Sequence, residues 1–374
     1  RLQGGKDSAS ERYIFTQLSK ITRYIFPRPD DKVLTYLHDD GFQVEPIYYV
    51  PIIPMILVNG SKGIGTGFST DIPSYNPLDI IHYLKRWLET TDVDVADNKR
   101  RFIPYYEGFT GSIYPKEKDN ENQSKFIVKG KYSVIGPDQI RITELPVGTW
   151  TDDYKVFLET LTNNTDKSGK KVIPVVKDYD DMSKDTTIDI IITLNKNMVS
   201  SLKEKWLDDD CNGLEKQFKL CSSISTSNMH LFNAKDVLVK YNSPEEIIEE
   251  FASTRLEIYN LRKEYLMKVL THDLLVLVNK TKYIREILTG TIDLRNKKKI
   301  DIIEMLRKKK YDYVVDESGA DDYMGYKYLV HMPMDSVSEE NVNRLNKEHN
   351  KKNEELENIK RMTTQTMWRT ELEE

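Results

Sequence analysis

The chain has 374 residues, which is long enough for two or three domains that each bury a core. Its 55 basic and 60 acidic residues give a net charge of −5, which argues against a protein that binds nucleic acid over its whole surface. Two cysteines are too few for a disulfide framework and suggest a reducing compartment. The longest apolar run, Ile47–Val58, is short and interrupted by prolines, so no membrane span is predicted.

The first 28 residues are the locally basic part of the chain. Ser8 and Glu11 have the Ser-x-x-Glu spacing of a capping box at the start of a helix. Apolar residues then recur at helical spacing over Ile14–Ile25. The pattern predicts a helix over Ala9–Phe26 and, after a proline-rich break, a short helix over Asp31–Leu37.

Tyr13 lies in the first turns of that predicted helix, directly after Arg12. A helix start favours a phosphate, and Arg12 can stabilise charge that develops on an attacked phosphodiester. A tyrosine is a poor nucleophile when unassisted, so local sequence alone favours a surface-packed tyrosine over a nucleophile. Lys6, Ser8 and Ser10 are either phosphate contacts or a helix cap beside a solvated lysine.

The glycine-rich segment Gly60–Gly67 does not have the spacing of a dinucleotide-binding loop. Its plain interpretation is a tight turn between two strands. Gly63 and Gly65 would also let the backbone approach another surface and leave Ile64 projecting. An apolar side chain in that position can wedge between base steps and kink DNA. Local sequence favours the turn and leaves the wedge open.

Residues 44–242 mix strand and helix signals. Strands are predicted at Ser124–Val128, Ser133–Ile135, Gln139–Ile142 and Ile188–Leu194. Short helices are predicted at Pro77–Leu88, Asp153–Leu161 and Ser200–Trp206.

A long helix is predicted from Ser243, its cap, to Leu288, or about 70 Å at ~1.5 Å per residue. A second helix is predicted from about Ser338, packed antiparallel against the first as a stalk. Between them lie a basic helical segment, Asn296–Tyr311, and the aromatic and methionine-rich segment Tyr323–Val337. The seam of the second helix carries Val342, Leu345, Leu356 and Ile359, and also His349 and Lys352.

The segment around Tyr13, RLQGGKDSASERYIFT, resembles the active-site tyrosine segment of eukaryotic-type (type IIA) DNA topoisomerase II. The likeness covers nearly the whole chain, although Glu11 stands where the animal enzymes have proline and Ile47 replaces an acidic residue. Four further segments follow in the family's order: Val44–Thr70, Ile142–Thr151, Phe218–Phe232 and Arg255–Leu266.

This resemblance implies an α+β fold in three parts. Residues 1–43 would be the C-terminal part of a winged-helix domain with the active-site tyrosine, and residues 44–242 a mixed α/β tower or shoulder domain. Residues 243–374 would form a long antiparallel coiled coil with a C-terminal dimer gate at about 290–337.

The resemblance also implies roles for individual residues. Tyr13 would form a 5′-phosphotyrosyl link, and Arg12 would stabilise the transition state. Ile64, between Gly63 and Gly65, would intercalate into bent DNA. The remaining implied DNA contacts are Lys6, Ser8 and Ser10. At the dimer gate, an exposed apolar patch is expected to meet the same patch of a second protomer, and it would include Tyr326, Tyr328, Leu329, Met332 and Met334.

The implied function is a transient double-strand break in DNA and passage of a second duplex by a homodimer. Mg²⁺ would be held by a Toprim domain and ATP by an ATPase domain of the same polypeptide, neither of which is recognisable here. The chain is therefore expected to hold no metal site and to be an inactive fragment on its own. The expected location is the nucleus for a cellular eukaryote, or the host cell or virion for a virus.

Two alternatives remain open. A bacterial gyrase A-type subunit shares the tyrosine chemistry and the fold, although the context of Tyr13 and the longer tower favour the eukaryotic type. A non-catalytic coiled-coil scaffold that binds DNA through its basic first segment is the alternative from another class.

Overall fold

The structure is a computed structural model that describes residues 1–89, 102–116, 125–163, 174–208, 211–295, 297–314 and 324–374. The strands in these residues are β1 Tyr36–Asp39, β2 Phe42–Pro46, β3 Ser61–Gly65, β4 Phe68–Ile72, β5 Ser112–Pro115, β6 Lys125–Lys129, β7 Lys131–Gly136, β8 Gln139–Glu144, β9 Val176–Asp181, β10 Ile190–Leu194, β11 Trp206–Asp208, β12 Cys211–Asn212, β13 Cys221–Ser225, β14 Met229–Phe232 and β15 Leu238–Tyr241. The α-helices are α1 Thr22–Ile25, α2 Met55–Asn59, α3 Pro77–Glu89, α4 Thr151–Thr162, α5 Met198–Glu204, α6 Gly213–Gln217, α7 Pro244–Leu288, α8 Lys299–Lys308, α9 Lys327–Val330, α10 Glu339–Arg361 and α11 Thr364–Glu373.

The fold is mixed α+β, and the chain divides into two compact units. The first unit contains residues 1–25 and 53–254, and the second contains residues 26–52 and 255–374. The predicted domain boundaries after residues 43 and 242 stay a prediction.

The core of the first unit is built on a four-stranded antiparallel sheet in the order β7-β8-β10-β9. Alternate residues of β8 and β10, such as Ile140 and Ile190, are buried and pack with Tyr154 and Leu158 of α4. The Tyr154 hydroxyl donates to the carbonyl of Phe218 at 2.7 Å, so this aromatic residue is buried with its polar atom satisfied. Helix α4 is therefore fixed against the sheet.

Two further β-structures belong to the first unit. Strands β13, β6 and β5 form a three-stranded antiparallel sheet. The hairpins β3–β4 and β14–β15 lie side by side, and the N–H of Asp71 on β4 donates to the carbonyl of Asn228 at 2.8 Å. Cys211 on β12 and Cys221 on β13 are joined by a disulfide, a pairing that the sequence did not predict.

In the second unit, helices α7 and α10 run antiparallel. Ser338 caps α10, because its hydroxyl accepts the N–H of Asn341. Lys352, a polar residue on the predicted apolar seam, is tolerated because it pairs with Asp273. The contacts along the helices are, in order, Ile284 with Val342 in one apolar cluster, Asp273 with Lys352, and Lys263 Nζ with the carbonyl of Met362 at 2.7 Å.

A buried ionic cluster ties residues 26–52 to α7 and α11. The guanidinium of Arg255, which is fully buried, donates to Asp30 Oδ2 at 2.7 Å and to the carbonyl of Val50 at 2.9 Å. Arg262 pairs with Glu371 of α11 at 2.6 Å. Burial raises the pKa of Asp30 above its ordinary value, although both arginines oppose that rise. These charges are stable in the interior only as a group.

Most predicted elements outside the first 43 residues are confirmed. Helices α3, α4, α5, α7, α8 and α10 and strands β6, β7, β8 and β10 lie where the sequence predicts them, with shifts of a few residues at their ends. Ser124, Tyr323 and Asn296 lie outside the described residues. The helix predicted over Asp31–Leu37 is wrong: a 3-10 turn occupies Arg28–Lys32, and β1 begins at Tyr36 in a hairpin with β2.

Candidate functional site

The segment that carries Tyr13 lies mostly outside regular secondary structure. A single 3-10 turn forms over Glu11–Tyr13, and the Ser10 side chain makes no capping hydrogen bond. The helix predicted over Ala9–Phe26, with its capping box at Ser8 and Glu11, is therefore wrong except for the short α1. A helix gains most of its stability by packing its apolar face, and the apolar residues of this segment are exposed.

Tyr13 presents its side chain to solvent and is 72% exposed. The guanidinium carbon of Arg12 lies 4.8 Å from the centre of the Tyr13 ring, which is a cation–π distance. The two residues predicted to act together are thus adjacent in space. A phosphate that approaches the tyrosine also approaches a permanent positive charge.

The loop before Tyr13 is compact at its start. Gly4 and Gly5 both have positive φ, of +67° and +81°, and the N–H of Ser8 donates to the carbonyl of Gly5 at 3.1 Å. Positive φ favours glycine because it has no Cβ. Lys6, Ser8 and Ser10 are all exposed on this loop. They lie near Tyr13 in sequence, and their contacts with DNA stay a prediction.

The predicted wedge residue lies on the β3–β4 hairpin. Gly65 pairs with Phe68 across the hairpin, and Gly67, at φ +84°, closes its turn. Ile64 pairs with Ser69 and is 94% exposed. The interpretation of this glycine segment as a strand-to-strand turn is confirmed. An isoleucine that projects so fully also has the geometry that a wedge needs, but its contact with DNA stays a prediction.

The neighbouring β14–β15 hairpin packs against the β3–β4 hairpin, which carries Ile64. The rings of Phe68 and Phe232 meet edge to face with centres 6.1 Å apart. Asn228 Nδ2 donates to Ser69 Oγ at 2.9 Å, directly opposite Ile64 in the β3–β4 register. This contact could not be predicted from the sequence, because a single sequence does not show that the segment Phe218–Phe232 ends beside β4.

The tip of the second unit, which is the described part of residues 290–337, does not expose the apolar patch that was predicted there. Tyr326 and Leu329 are buried in a small core with Tyr283 and Leu306, so their expected exposure is wrong. The apolar residues of this segment close a core against α8 and the end of α7 rather than facing solvent. Tyr328 and Met332 are partly buried beside that core, and the side chain of Met334 lies outside what the structure describes.

Comparison with known proteins identifies the family. The family model of the DNA gyrase/topoisomerase IV A subunit matches residues 1–373. The chain belongs to this family. It is 38% identical to DNA topoisomerase 2 of Arabidopsis thaliana and 37% identical to DNA topoisomerase 2 top-2 of Caenorhabditis elegans, in both cases over the whole chain and 26% of the relative.

A solved structure agrees with these relatives. The crystal structure of the Plasmodium falciparum topoisomerase II DNA-binding, cleavage and re-ligation domain matches 99% of the chain and 50% of that structure, with a TM-score of 0.82 and 35% identity. The chain thus spans about a quarter of the length of the two relatives. The eukaryotic topoisomerase 2 relatives favour the main interpretation over a bacterial gyrase A-type subunit.

The residues that the structure describes contain no group of three or more His, Cys, Asp or Glu side chains that could hold a metal ion. None of their helices combines the length and the apolar character that a membrane crossing needs.

Proposed function

We propose that this chain is part of the DNA breakage–reunion core of a type IIA DNA topoisomerase. Such an enzyme makes a transient double-strand break through 5′-phosphotyrosyl links, passes a second duplex through it and so changes DNA topology. The observation that carries the proposal is the exposed Arg12–Tyr13 pair in a chain of this family. The likeness to a structure titled as a cleavage and re-ligation domain supports it.

The proposed chemistry is a reversible exchange of phosphodiesters. The hydroxyl oxygen of Tyr13 attacks a backbone phosphorus and loses its proton as the new O–P bond forms. The bond from phosphorus to the 3′-oxygen breaks, and that oxygen leaves as a hydroxyl after protonation. The same hydroxyl later attacks the phosphotyrosine and restores both partners. Because one phosphate ester replaces another, the break costs little net free energy.

Arg12 has the charge needed at the reacting phosphate. Charge grows on the phosphate oxygens in the transition state, and a guanidinium held beside the nucleophile stabilises it without reorganisation. Lys6, Ser8 and Ser10, exposed on the loop before Tyr13, are proposed to contact the neighbouring phosphates.

Ile64 is proposed to wedge between base steps and bend the DNA that is cut. Support comes from its exposure and from the flanking glycines: no atom lies within 4 Å of a Cβ placed on Gly63. Gly63 adds no side chain next to Ile64, which is the projecting group of this stretch, and an inserted apolar side chain kinks a duplex by unstacking one step.

The proposed architecture has three parts and a twofold partner. Residues 1–43 would be the C-terminal part of a winged-helix domain and residues 44–242 the tower. The antiparallel helices α7 and α10 would form a coiled coil whose tip, near residues 290–337, meets the same tip of a second protomer. Tyr328 and Met332 are the partly exposed apolar residues proposed for that dimer gate.

Further regions of the same polypeptide are proposed to complete the enzyme. The relatives are about four times as long as the matched segment, which leaves room for an ATPase region and a Toprim region with Mg²⁺. Mg²⁺ would be held by the Toprim region, as the resemblance to the family implies. The chain alone would then be inactive. Relatives from cellular eukaryotes favour a nuclear location over a virion.

Covalent trapping in the full-length protein tests the proposal. Tyr13→Phe removes only the hydroxyl oxygen and should abolish covalent protein–DNA adducts, while DNA binding and the melting temperature stay unchanged. Tyr24→Phe is the matched control, since Tyr24 is an exposed tyrosine of the same segment. Adducts at the normal level in the Tyr13→Phe protein would contradict the proposal. Wild-type protein that binds DNA without forming adducts would favour the non-catalytic scaffold.

A further inference from the structure

A buried carboxylate forms an ion pair with Arg1, the first residue of the tyrosine segment (residues 1–16). Glu144, at the end of β8, is 1% exposed, and both of its oxygens accept from the Arg1 guanidinium, one of them at 3.0 Å. The N–H and the hydroxyl of Thr110 each donate to the same carboxylate at 3.0 Å. Burial by itself would raise the pKa of Glu144, but these hydrogen bonds outweigh it and hold the pKa below its ordinary value.

The next residues of the segment complete the start of helix α4. Trp150, at the cap position, makes no side-chain capping bond. Instead, the N–H of Thr151 donates to the carbonyl of Arg1 at 3.1 Å, and the N–H of Asp152 donates to the carbonyl of Leu2 at 3.2 Å. The backbone of the tyrosine segment thus satisfies two N–H groups that a helix start otherwise leaves unpaired.

Gly4 lies directly against the Trp150 indole. A Cβ placed on Gly4 would come within 2.3 Å of Trp150 Cε2, closer than any side chain tolerates. Gly5 has a similar positive φ but would meet nothing within 4 Å. Gly4 is therefore constrained by the tryptophan as well as by its backbone, whereas Gly5 is constrained by its backbone alone.

We propose that Glu144 and Trp150 are positioning residues for DNA cleavage. They dock residues 1–4 on the sheet and on the start of α4, and so hold the loop that presents Tyr13. Residues 3–20 are exposed, so within this chain the docked residues lie directly before the exposed loop that carries Tyr13. The inference rests on the proposed role of Tyr13. It also assigns a function to the segment Ile142–Thr151, which resembles the family's pattern.

The physical expectation is a loss of rate without a loss of DNA binding. A nucleophile displaced by about 1 Å can lose about 100-fold in rate, because the reacting atoms no longer line up. Cleavage and re-ligation pass through the same transition state, so both rates should fall together and their ratio should be preserved. If the docked segment served only the stability of the fold, variants that disturb it would have a lower melting temperature, and both rates would be unchanged in the folded protein.

The experiment compares Gly4→Ala with Gly5→Ala in the full-length protein. Both variants carry the same penalty for an alanine at positive φ, and Gly4→Ala adds the clash with Trp150. Rates of covalent adduct formation and of re-ligation on a short duplex, DNA affinity and melting temperature are measured for each. Gly4→Ala should slow both rates by about 10- to 100-fold at unchanged DNA affinity. Gly5→Ala should slow them by no more than a few-fold.

A double variant, Gly4→Ala with Trp150→Ala, tests whether the two residues act through the same contact. Trp150→Ala should itself slow both rates, and adding Gly4→Ala to it should have little further effect, because the clash no longer exists. Trp150→Ala introduces no clash, so it reports the same loss if the Gly4→Ala protein does not fold. Trp150→Phe, which keeps an aromatic ring beside Gly4, should restore part of the rate.

Equal rates for Gly4→Ala and Gly5→Ala, or effects of Gly4→Ala and Trp150→Ala that simply multiply, would overturn the positioning role. Normal rates in the Trp150→Ala protein would also overturn it. Tyr13→Phe is measured in the same series. Adducts that persist in that protein would overturn the proposed function of Tyr13 instead, so the two failures are distinguishable.

Discussion

Replacing Ile64 with alanine distinguishes between two roles for this residue, a wedge that inserts into DNA and a member of the protein core. Ile64 is 94% exposed at the end of the β3–β4 hairpin. Its side chain therefore contributes almost no buried apolar area to the fold. The substitution should change the free energy of unfolding by less than about 1 kcal/mol, which is the range of strand propensities.

The effect on bent DNA should be larger. The substitution removes three carbon atoms, which contribute about 0.8 kcal/mol each when they are fully buried, or about 2.4 kcal/mol in total. At about 1.4 kcal/mol for each factor of ten, the equilibrium between bent and straight DNA should shift by about 50-fold. Bending should therefore fall much more than stability.

The assay is energy transfer between dyes at the two ends of a short duplex bound to the full-length protein. The matched control is Ile135→Ala, because Ile135 is an exposed isoleucine on the edge strand β7 of the same unit. The control should bend DNA normally. A sharp fall in melting temperature with normal bending in the Ile64→Ala protein would show that the wedge argument is wrong.

Four further outcomes are expected. Arg12→Ala should slow adduct formation by about 10²–10³-fold, and Arg12→Lys should slow it less; equal adduct rates in wild type and Arg12→Ala would refute its role. Phe232→Ala removes an aromatic pair worth about 0.5–1.5 kcal/mol and should reduce DNA bending by less than Ile64→Ala does, as the energy-transfer assay can check. Because the folded pKa of Glu144 is lowered, its contribution to stability is present above the unfolded pKa and is lost as the pH falls through the folded pKa. The difference in unfolding free energy between wild type and Glu144→Gln should therefore shrink on acidification from about pH 6 to about pH 3, and a constant difference would contradict this linkage. Met332→Asp should shift the dimer towards monomer in sedimentation, and an unchanged dimer would argue against the tip as a gate.

The sequence predicts the long helices well because their signals are local. The 45-residue α7 begins with a serine cap and a proline, and α10 begins with a serine whose hydroxyl accepts the N–H of Asn341. Strands such as β8 and β10 are predicted by runs of β-branched residues that fit a buried sheet. These elements need no knowledge of their distant partners.

The segment of Tyr13 could not be predicted in the same way. Its apolar residues recur at helical spacing, but a helix needs a surface to cover that face, and these residues stay exposed. A capping pattern therefore predicts a helix only where packing completes it. The Arg12–Tyr13 pair was singled out by the resemblance to the family's active-site segment, and the two side chains lie close together because they are adjacent in the chain.

The burial of the tip residues and the contacts that dock residues 1–4 could not be predicted from the sequence either. An apolar cluster in the sequence does not reveal whether its residues face solvent or one another, and Leu329 proves to be buried. The contacts of Arg1 with Glu144 and of Gly4 with Trp150 join residues more than a hundred positions apart. The sequence carries no local signal for such pairs, so only the structure reveals them.

Mapping the covalent link tests the central claim most directly. The full-length protein is incubated with DNA, denatured to trap adducts, and digested with nuclease and protease before mass spectrometry. The peptide containing Tyr13 should carry a nucleotide through its 5′-phosphate, and no other tyrosine should carry one. A nucleotide on a different residue, or a link through a 3′-phosphate, would contradict it.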